Sequence, residues 1–495
     1  MRKWIAAAIL VLSVAIAFGQ SERARIEYKG WPGGLNSLVE NDECLPSQLR
    51  TATNIAITKD GAIQARRGLL YDANNVYSFP SNLGKMVMYV SGASYFFMGS
   101  GTDGVVYLAS GTGAYTAMPT AGVANDADMV FFQGYVLWGA QTNVYAFNTA
   151  GAATFSLLVG SPNANHFIIH NNRVFCVNTK NTTPILYETA VASVTDFASG
   201  SAWNVFNNAY QPISGLGVLR DTLYIFSRSS IYRMTGYAPS ERVFSQFTGS
   251  FGTANTKSIK TIELTGLGEC LFFVNTKKEA CVLTDGGVQV ISEAIQPDLD
   301  ALSTADSGLL TGIATEYNPI KKELIIYDVS NKNYFYKMFC NHPYQSKYGV
   351  RWPFVKSVLP SGFALNNAIS TKFFTSTNGT TAILDGPTWF AIATVTSAIG
   401  VTQLYQESEN SRDYLRIPAL TYYGINMQFR TNDTDAGAPQ NLKGWKRGTI
   451  QGYYNAGSGS HAVDLTQYTD FYGIASAQTI YLPIDTTASQ TNFNL

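Results

Sequence analysis

Two histidines four residues apart, His166 and His170, are the first place in this sequence to look for metal or acid–base chemistry. On a helix that spacing puts both imidazoles on one face, within reach of a shared zinc ion. Here they bracket His-Phe-Ile-Ile-His, an aromatic and β-branched run that reads as a strand, where residues i and i+4 share a face but stand roughly 13 Å apart. No shared metal is expected, and His342 and His461 are isolated. Asp126 and Asp128, just ahead of Met129, have the spacing of a calcium corner or a carboxylate pair. Turn carboxylates before a strand are ordinary loop chemistry, and that is the reading adopted. Gly99-Ser-Gly-Thr-Asp-Gly has no Walker lysine and no following helix to hold a phosphate, so it is a turn. No serine sits in a nucleophile elbow, and no carboxylate pair marks polysaccharide cleavage. Asn181-Thr-Thr, Asn378-Gly-Thr and Asn432-Asp-Thr match the glycan acceptor pattern, which carries meaning only in a eukaryotic secretory route. No catalytic, cofactor-binding or metal-binding residue is assigned, and a non-enzymatic protein is expected.

Five cysteines, Cys44, Cys176, Cys270, Cys281 and Cys340, are too few and too scattered for a disulfide framework. Only Cys270 and Cys281 flank a common polar turn. A tight turn at Asn275 and Thr276 would set them opposite each other, a wider one would not, and two buried, reduced thiols are expected.

The elements around these residues are strands. Aromatic residues make up 13% of the chain and charged residues only 14%, a balance rich in strand formers. Six apolar bursts, at 95–98, 135–138, 174–177, 223–226, 271–274 and 324–327, recur at about the period of four-stranded propeller blades. A weaker seventh candidate is Phe373 with Phe374. More alternating returning strands follow, as in Asn143-Val-Tyr-Ala-Phe and Ser230-Ile-Tyr-Arg-Met, each placed to form a hairpin with the burst before it. A continuous apolar strand suits a sheet covered on both faces, as in stacked blades, with the alternating partners towards the outside. An array of β-sandwiches would give similar bursts. The fold class expected is all-β: a β-propeller of six to seven blades with a smaller C-terminal β module.

Residues 1–19 resemble a secretion signal, with Arg2 and Lys3, an apolar run, and small Ala17 and Gly19 ahead of Gln20. Residues 20–81 form an N-terminal arm and strands entering the propeller, 82–392 the blades, and 393–495 the C-terminal module, whose polar tail from Asp485 is expected to be mobile. Lys plus Arg equal Asp plus Glu at 34 each, so no net basic field exists to grip nucleic acid.

After the signal come Gly33-Gly34-Leu35-Asn36, Leu45-Pro46-Ser47-Gln48, Ala52-Thr53-Asn54-Ile55, and Asp60-Gly61 leading to Arg66-Arg67-Gly68. This order resembles the opening of the tail hub or nozzle β-propeller proteins of short-tailed bacteriophages, the tail tubular protein B type. Gly287-Val-Gln-Val-Ile-Ser-Glu-Ala-Ile is similar to the end of a middle blade in that group, and Asn378-Gly-Thr-Thr-Ala-Ile-Leu-Asp to a closing blade strand. Residues 423–430, Gly437 and Lys443-Gly-Trp-Lys-Arg resemble the segment after the propeller. The resemblance implies a virion tail component forming part of the DNA-ejection conduit. Its partners would be copies of itself in a ring, a hexamer, and neighbouring tail and adaptor proteins, with transient contact to passing DNA and no stable nucleic-acid binding. The signal-like start favours the alternative, a secreted or periplasmic bacterial propeller that binds glycan or a surface partner.

Overall fold

A computed structural model describes residues 31–38 and 47–493 apart from loop segments, the longest of which are 119–126, 303–311, 432–447, 453–460 and 468–475. The signal-like segment, Cys44, Asp126, Phe373 and Asn378 fall outside the described residues. No helix among the described residues is long and apolar enough to cross a membrane.

The six bursts are the second strands of six consecutive sheets, and the segments after them are the third strands. Blades 1 to 5 are four-stranded, antiparallel and built in chain order. They begin with the inner strands Leu83–Ser91, Asp128–Phe132, His166–His170, Gly215–Leu219 and Lys260–Leu264. Blade 6 starts the same way with Ile313–Asn318, Glu323–Asp328, Tyr334–Phe339 and Phe354–Val358. Its edge is then extended by Gln48–Thr53 in parallel, which also carries Gly34–Leu35 and Gln428–Thr431.

The result is a six-bladed β-propeller plus an extra mixed sheet drawn from both ends of the chain. In that sheet Phe363–Ser370, Thr388–Thr394 and Thr402–Ser408 are joined by Gly68–Leu70 and Ser78–Phe79 from the N-terminal side, then by Arg412–Ile417 and Ala419–Gly424. Phe363–Ser370 packs against the inner strands of both blade 6 and blade 1. The extra sheet therefore fills the place between last and first blade.

Seven hydrophobic clusters lie between consecutive sheets around the axis. Blade 2 shows how a burst serves two of them. Val136 and Trp138 pack towards blade 1, while Leu137 packs towards blade 3, and all three are fully buried. The large apolar residues of the second strands thus remove surface from water on one side or the other, at about 1.5–3 kcal/mol for each such side chain. The returning strands differ from expectation. Ile185–Glu188 and Ile231–Thr235 alternate, but Val144–Asn148, Ala280–Thr284 and Tyr334–Phe339 are buried almost throughout. Neighbouring sheets cover them on both faces, and solvent meets the fourth strands instead.

Three further expectations are corrected. Phe374 begins a two-stranded hairpin with Ala382–Ile383 and is no blade burst; the apolar strand at that stage is Thr388–Thr394. The boundary drawn at 393 falls within paired sheet, because 402–431 pair with N-terminal strands, and the second compact unit begins at 434. In that unit Gly448–Gly452 pairs with Ser489–Phe493 and His461–Gln467 with Ser476–Leu482, so Ser489–Phe493, within the tail expected to be mobile, is a strand. Polar composition concealed it, since a backbone ladder needs no apolar side chains to form.

Candidate functional site

Charged residues gather on the inner strands. Asp128 of blade 2 receives Lys85 Nζ of blade 1 at 3.2 Å and lies 2.7 Å from His166 Nδ1 of blade 3. The amides of Met129 and Phe167 donate to the same carboxylate at 2.8 and 3.2 Å. Burial opposes ionisation of Asp128, but the Lys85 ammonium and the His166 hydrogen bond outweigh it and hold the carboxyl well below its usual range. Across the axis Lys260 Nζ meets Glu316 at 2.7 Å, and Ser370 of the extra sheet donates its amide to Glu316 at 2.8 Å. These groups tie blade to blade.

The Asp128–His166 pair has the orientation of a general-base dyad, with Nδ1 held by the carboxylate. A dyad also needs a nucleophile at Nε2, and that atom has no hydrogen-bond partner among the described residues. Asp128 is thus not ordinary loop chemistry but a buried joint between blades; its pairing with Asp126 lies outside the described residues. His170 stands at the far end of the same strand, 5.9 Å from the Phe175 ring, where burial and the Arg242 charge lower its pKa to about 4. Among the described residues no three His, Cys, Asp or Glu side chains group as a metal site.

Two further ionic joints are fully inside. Glu188 of blade 3 lies between Arg173 at 3.2 Å and Arg242, at the entry to the outer strand of blade 4, at 3.1 Å. Glu407 of the extra sheet binds Lys321 at 2.8 Å and also Lys337, which itself meets Glu323 of blade 6 at 3.1 Å. Burial alone would raise the pKa of Glu407, but the two lysines lower it to about 2.

The N-terminal residues of the phage-tail resemblance, between Gly33 and Gly68, meet at blade 6 and the extra sheet; Gly437 and residues 443–447 lie outside the described residues. Gly34 has φ +62°, and a Cβ there would lie 2.7 Å from the Phe354 carbonyl oxygen. Asn36 Nδ2 donates to Gln48 Oε1 at 2.7 Å. Asn54, also in the left-handed region, accepts from Arg66 Nε at 3.0 Å and from the Val358 amide at 2.7 Å. Arg66 donates onward to the carbonyls of Arg67 at 2.9 Å and Val358 at 3.2 Å. The motif is a clasp that fastens the N-terminal segment to blade 6 and leads into the extra sheet.

The thiols follow the wider-turn alternative. Cys281 lies opposite Phe273 and Cys270 opposite Ile262, so the two are out of register for a disulfide. Cys176, Cys270, Cys281 and Cys340 are free and buried, and burial pushes each thiol up, away from the reactive thiolate. Asn181 uses its side-chain oxygen within its own turn, accepting from Thr183 at 3.1 Å.

Sequence reading overlooked Lys85, Glu188, Arg173, Arg242 and Glu407. One signal was available: Lys85, Asp128 and His166 recur at about one blade period, so equivalent positions in consecutive repeats meet around the axis.

No protein-family model matches the chain, and no curated protein is similar to it. Among solved structures it is similar to BBS1N, crystallised with ARL6DN, at 8% identity and TM-score 0.41, over 70% of this chain and 99% of that one. It is also similar to the WD40 domain of Toxoplasma gondii coronin, at 9% identity and TM-score 0.40, over 69% and 88% of the two chains. The N-terminal domain of Nup159 aligns at 9% identity and TM-score 0.37, over 72% and 98%.

Proposed function

We propose that this chain is a structural, non-enzymatic component of a short-tailed phage tail: a hub or nozzle propeller whose copies form a ring around the DNA path. One observation carries the reading. The residues that open the phage-tail resemblance, Gly34, Asn36, Gln48, Asn54 and Arg66, are engaged in bracing the N-terminal segment and fastening it to blade 6. They act as a linked set, as a family fold signature does. The buried charges are likewise consumed in joints between sheets, which suits a part that transmits load. Equal numbers of acidic and basic residues suit a conduit that must release DNA.

The test is the native particle. Electron microscopy and mass spectrometry of virions from the source should find the chain in a closed ring below the connector. Its absence from particles, with an N-terminus beginning near Gln20 in the culture supernatant, would overturn the tail reading. That result would favour the secreted glycan or surface binder that the signal-like residues 1–19 support.

A further inference from the structure

The two ends of the propeller carry different turns. In each blade the turn between second and third strands lies at one end of the ring, and the turn between first and second strands lies at the other. At the former end four consecutive blades each present a cation: Lys180 in blade 3, Arg228 in blade 4, Lys277 in blade 5 and Lys332 in blade 6. Three of these turns are built alike. Asn178 Oδ1 accepts from the Lys180 amide at 3.0 Å, Asn275 Oδ1 from the Lys277 amide at 2.9 Å, and Ser227 Oγ from the Ser229 amide at 3.3 Å. Lys180, Arg228 and Lys277 are exposed and Lys332 is half-buried, and among the described residues Arg228, Lys277 and Lys332 form no ion pair. Of the acids towards the same end, Glu293 is neutralised by Arg351 at 2.5 Å and Asp298 lies 4.0 Å from Lys356. Asp103, Glu279 and Asp300 accept from Tyr107 at 2.5 Å, Asn275 at 2.6 Å and Gln296 at 2.9 Å. At the opposite end the turn cations are already paired: Arg220 with Asp285, Lys321 with Glu407 at 2.8 Å and Lys322 with Glu263 at 2.7 Å.

We infer that the end carrying Lys180, Arg228, Lys277 and Lys332 docks on an anionic lipid surface, with these four cations meeting headgroup phosphates. The chemistry of the turns selects that occupant. Segments 178–184, 227–230, 275–279 and 329–333 hold no aromatic side chain, so nothing there stacks on bases or sugar rings. Their one large apolar residue, Val329, packs inward against the core of blade 6, which leaves no apolar anchor of the kind that centres a protein interface. Placement points the same way. The four cations come from successive blades at one end, so they follow an arc and not a line. A duplex rod reaches only those along its length, whereas a bilayer plane reaches all of them together. Three of the four are lysines, compact point charges that meet a phosphate without the fixed fork geometry of arginine. Each cation brought to an anionic membrane strengthens binding about fivefold.

The inference stands on these turns and holds for a tail protein or a secreted propeller alike. The full chain should co-sediment with vesicles of phosphatidylcholine and phosphatidylglycerol at about 3:1, should leave vesicles of phosphatidylcholine alone in the supernatant, and should be released by about 0.5 M salt. Lys277→Gln should weaken binding about fivefold. Lys180→Gln, Arg228→Gln, Lys277→Gln and Lys332→Gln together should weaken it several hundredfold with an unchanged melting temperature, because exposed turn cations hold no sheet together. Lys322→Gln, at the opposite end, should bind like the parent. Failure to bind the anionic vesicles would overturn the inference. So would equal binding of the parent and the four-site variant to neutral and anionic vesicles, which would assign the membrane contact to the apolar run in residues 1–19. A DNA duplex of about 30 base pairs that binds more tightly than the vesicles at equal salt, with the same four-site dependence, would make the face a nucleic-acid site and overturn the lipid assignment. Absence from virions bears only on the tail reading.

Discussion

Blades 3 and 6 occupy comparable places around one axis and are made in different ways. Blade 3 is one uninterrupted run of hairpins from His166 to Asn204, so every strand pairs with its neighbour in sequence. Blade 6 begins likewise but is completed by strands near residues 34, 50 and 430, and the extra sheet beside it joins residues 68–79 to 363–424. Local hairpins close short loops at small entropic cost, whereas pairing distant segments closes loops of hundreds of residues. The seam therefore carries a loop-closure cost that blade 3 does not, and its buried polar groups, Arg66 on Asn54 and Glu407 on two lysines, join segments distant in sequence, whereas Arg173 and Glu188 of blade 3 belong to adjacent strands.

Breaking the seam's ionic joint should have the largest effect. Glu407→Ala leaves Lys321 without this partner and Lys337 with only Glu323, and should cost about 4 kcal/mol in denaturant unfolding. Hydrogen exchange should accelerate first in 323–339 and 402–408 and last in 166–188; uniform acceleration would show that the two regions open as one. Arg66→Ala comes next, at about 3 kcal/mol, because it leaves the Val358 carbonyl and Asn54 short of a charged donor. Rescue by Arg66→Lys should be partial, since an ammonium does not reproduce the guanidinium fork.

A glycine pair sharpens the contrast. Gly34 and Gly160 both have positive φ, but a Cβ at Gly34 meets the Phe354 backbone, while one at Gly160 meets nothing within 4 Å. Gly160→Ala should cost about 1 kcal/mol from backbone strain alone, and Gly34→Ala about 2 kcal/mol or more from strain plus collision. Equal costs in thermal melts would mean that the seam yields as easily as a surface loop.

Acid should separate the regions with the smallest effect. His170 is held neutral in the folded chain down to about pH 4, while its unfolded counterpart takes up a proton near 6.5. Stability should thus fall as pH drops from 6.5 towards 4 and level off below, and His170→Phe should flatten that slope. Glu407, depressed to about 2, contributes stability that is complete above its unfolded value near 4.5 and is lost as pH falls towards 2. Chemical denaturation at stepped pH, comparing the parent with His170→Phe and Glu407→Gln, reads both windows.

The six bursts and the strands after them were legible because burial on both faces imposes an unbroken apolar run, and a run of that kind is visible in one dimension. That His166 and His170 lie four apart on one strand was legible from the same apolar pattern. The Gly33 to Gly68 motif could be noticed, yet its work could not, since Asn54 and Val358 become neighbours only after the ring has closed. The Cys270 and Cys281 register waited on a turn shape set by hydrogen bonds around Asn275, whose Oδ1 accepts from Lys277 and Glu279 at 2.9 Å. Pattern in the chain determined the hairpins and the blade period, because each depends on residues close in sequence. Tertiary structure alone decided where the circle closes, which distant strands complete blade 6, and which charges meet inside. Those outcomes rest on pairings across hundreds of residues, where no local periodicity records the partner.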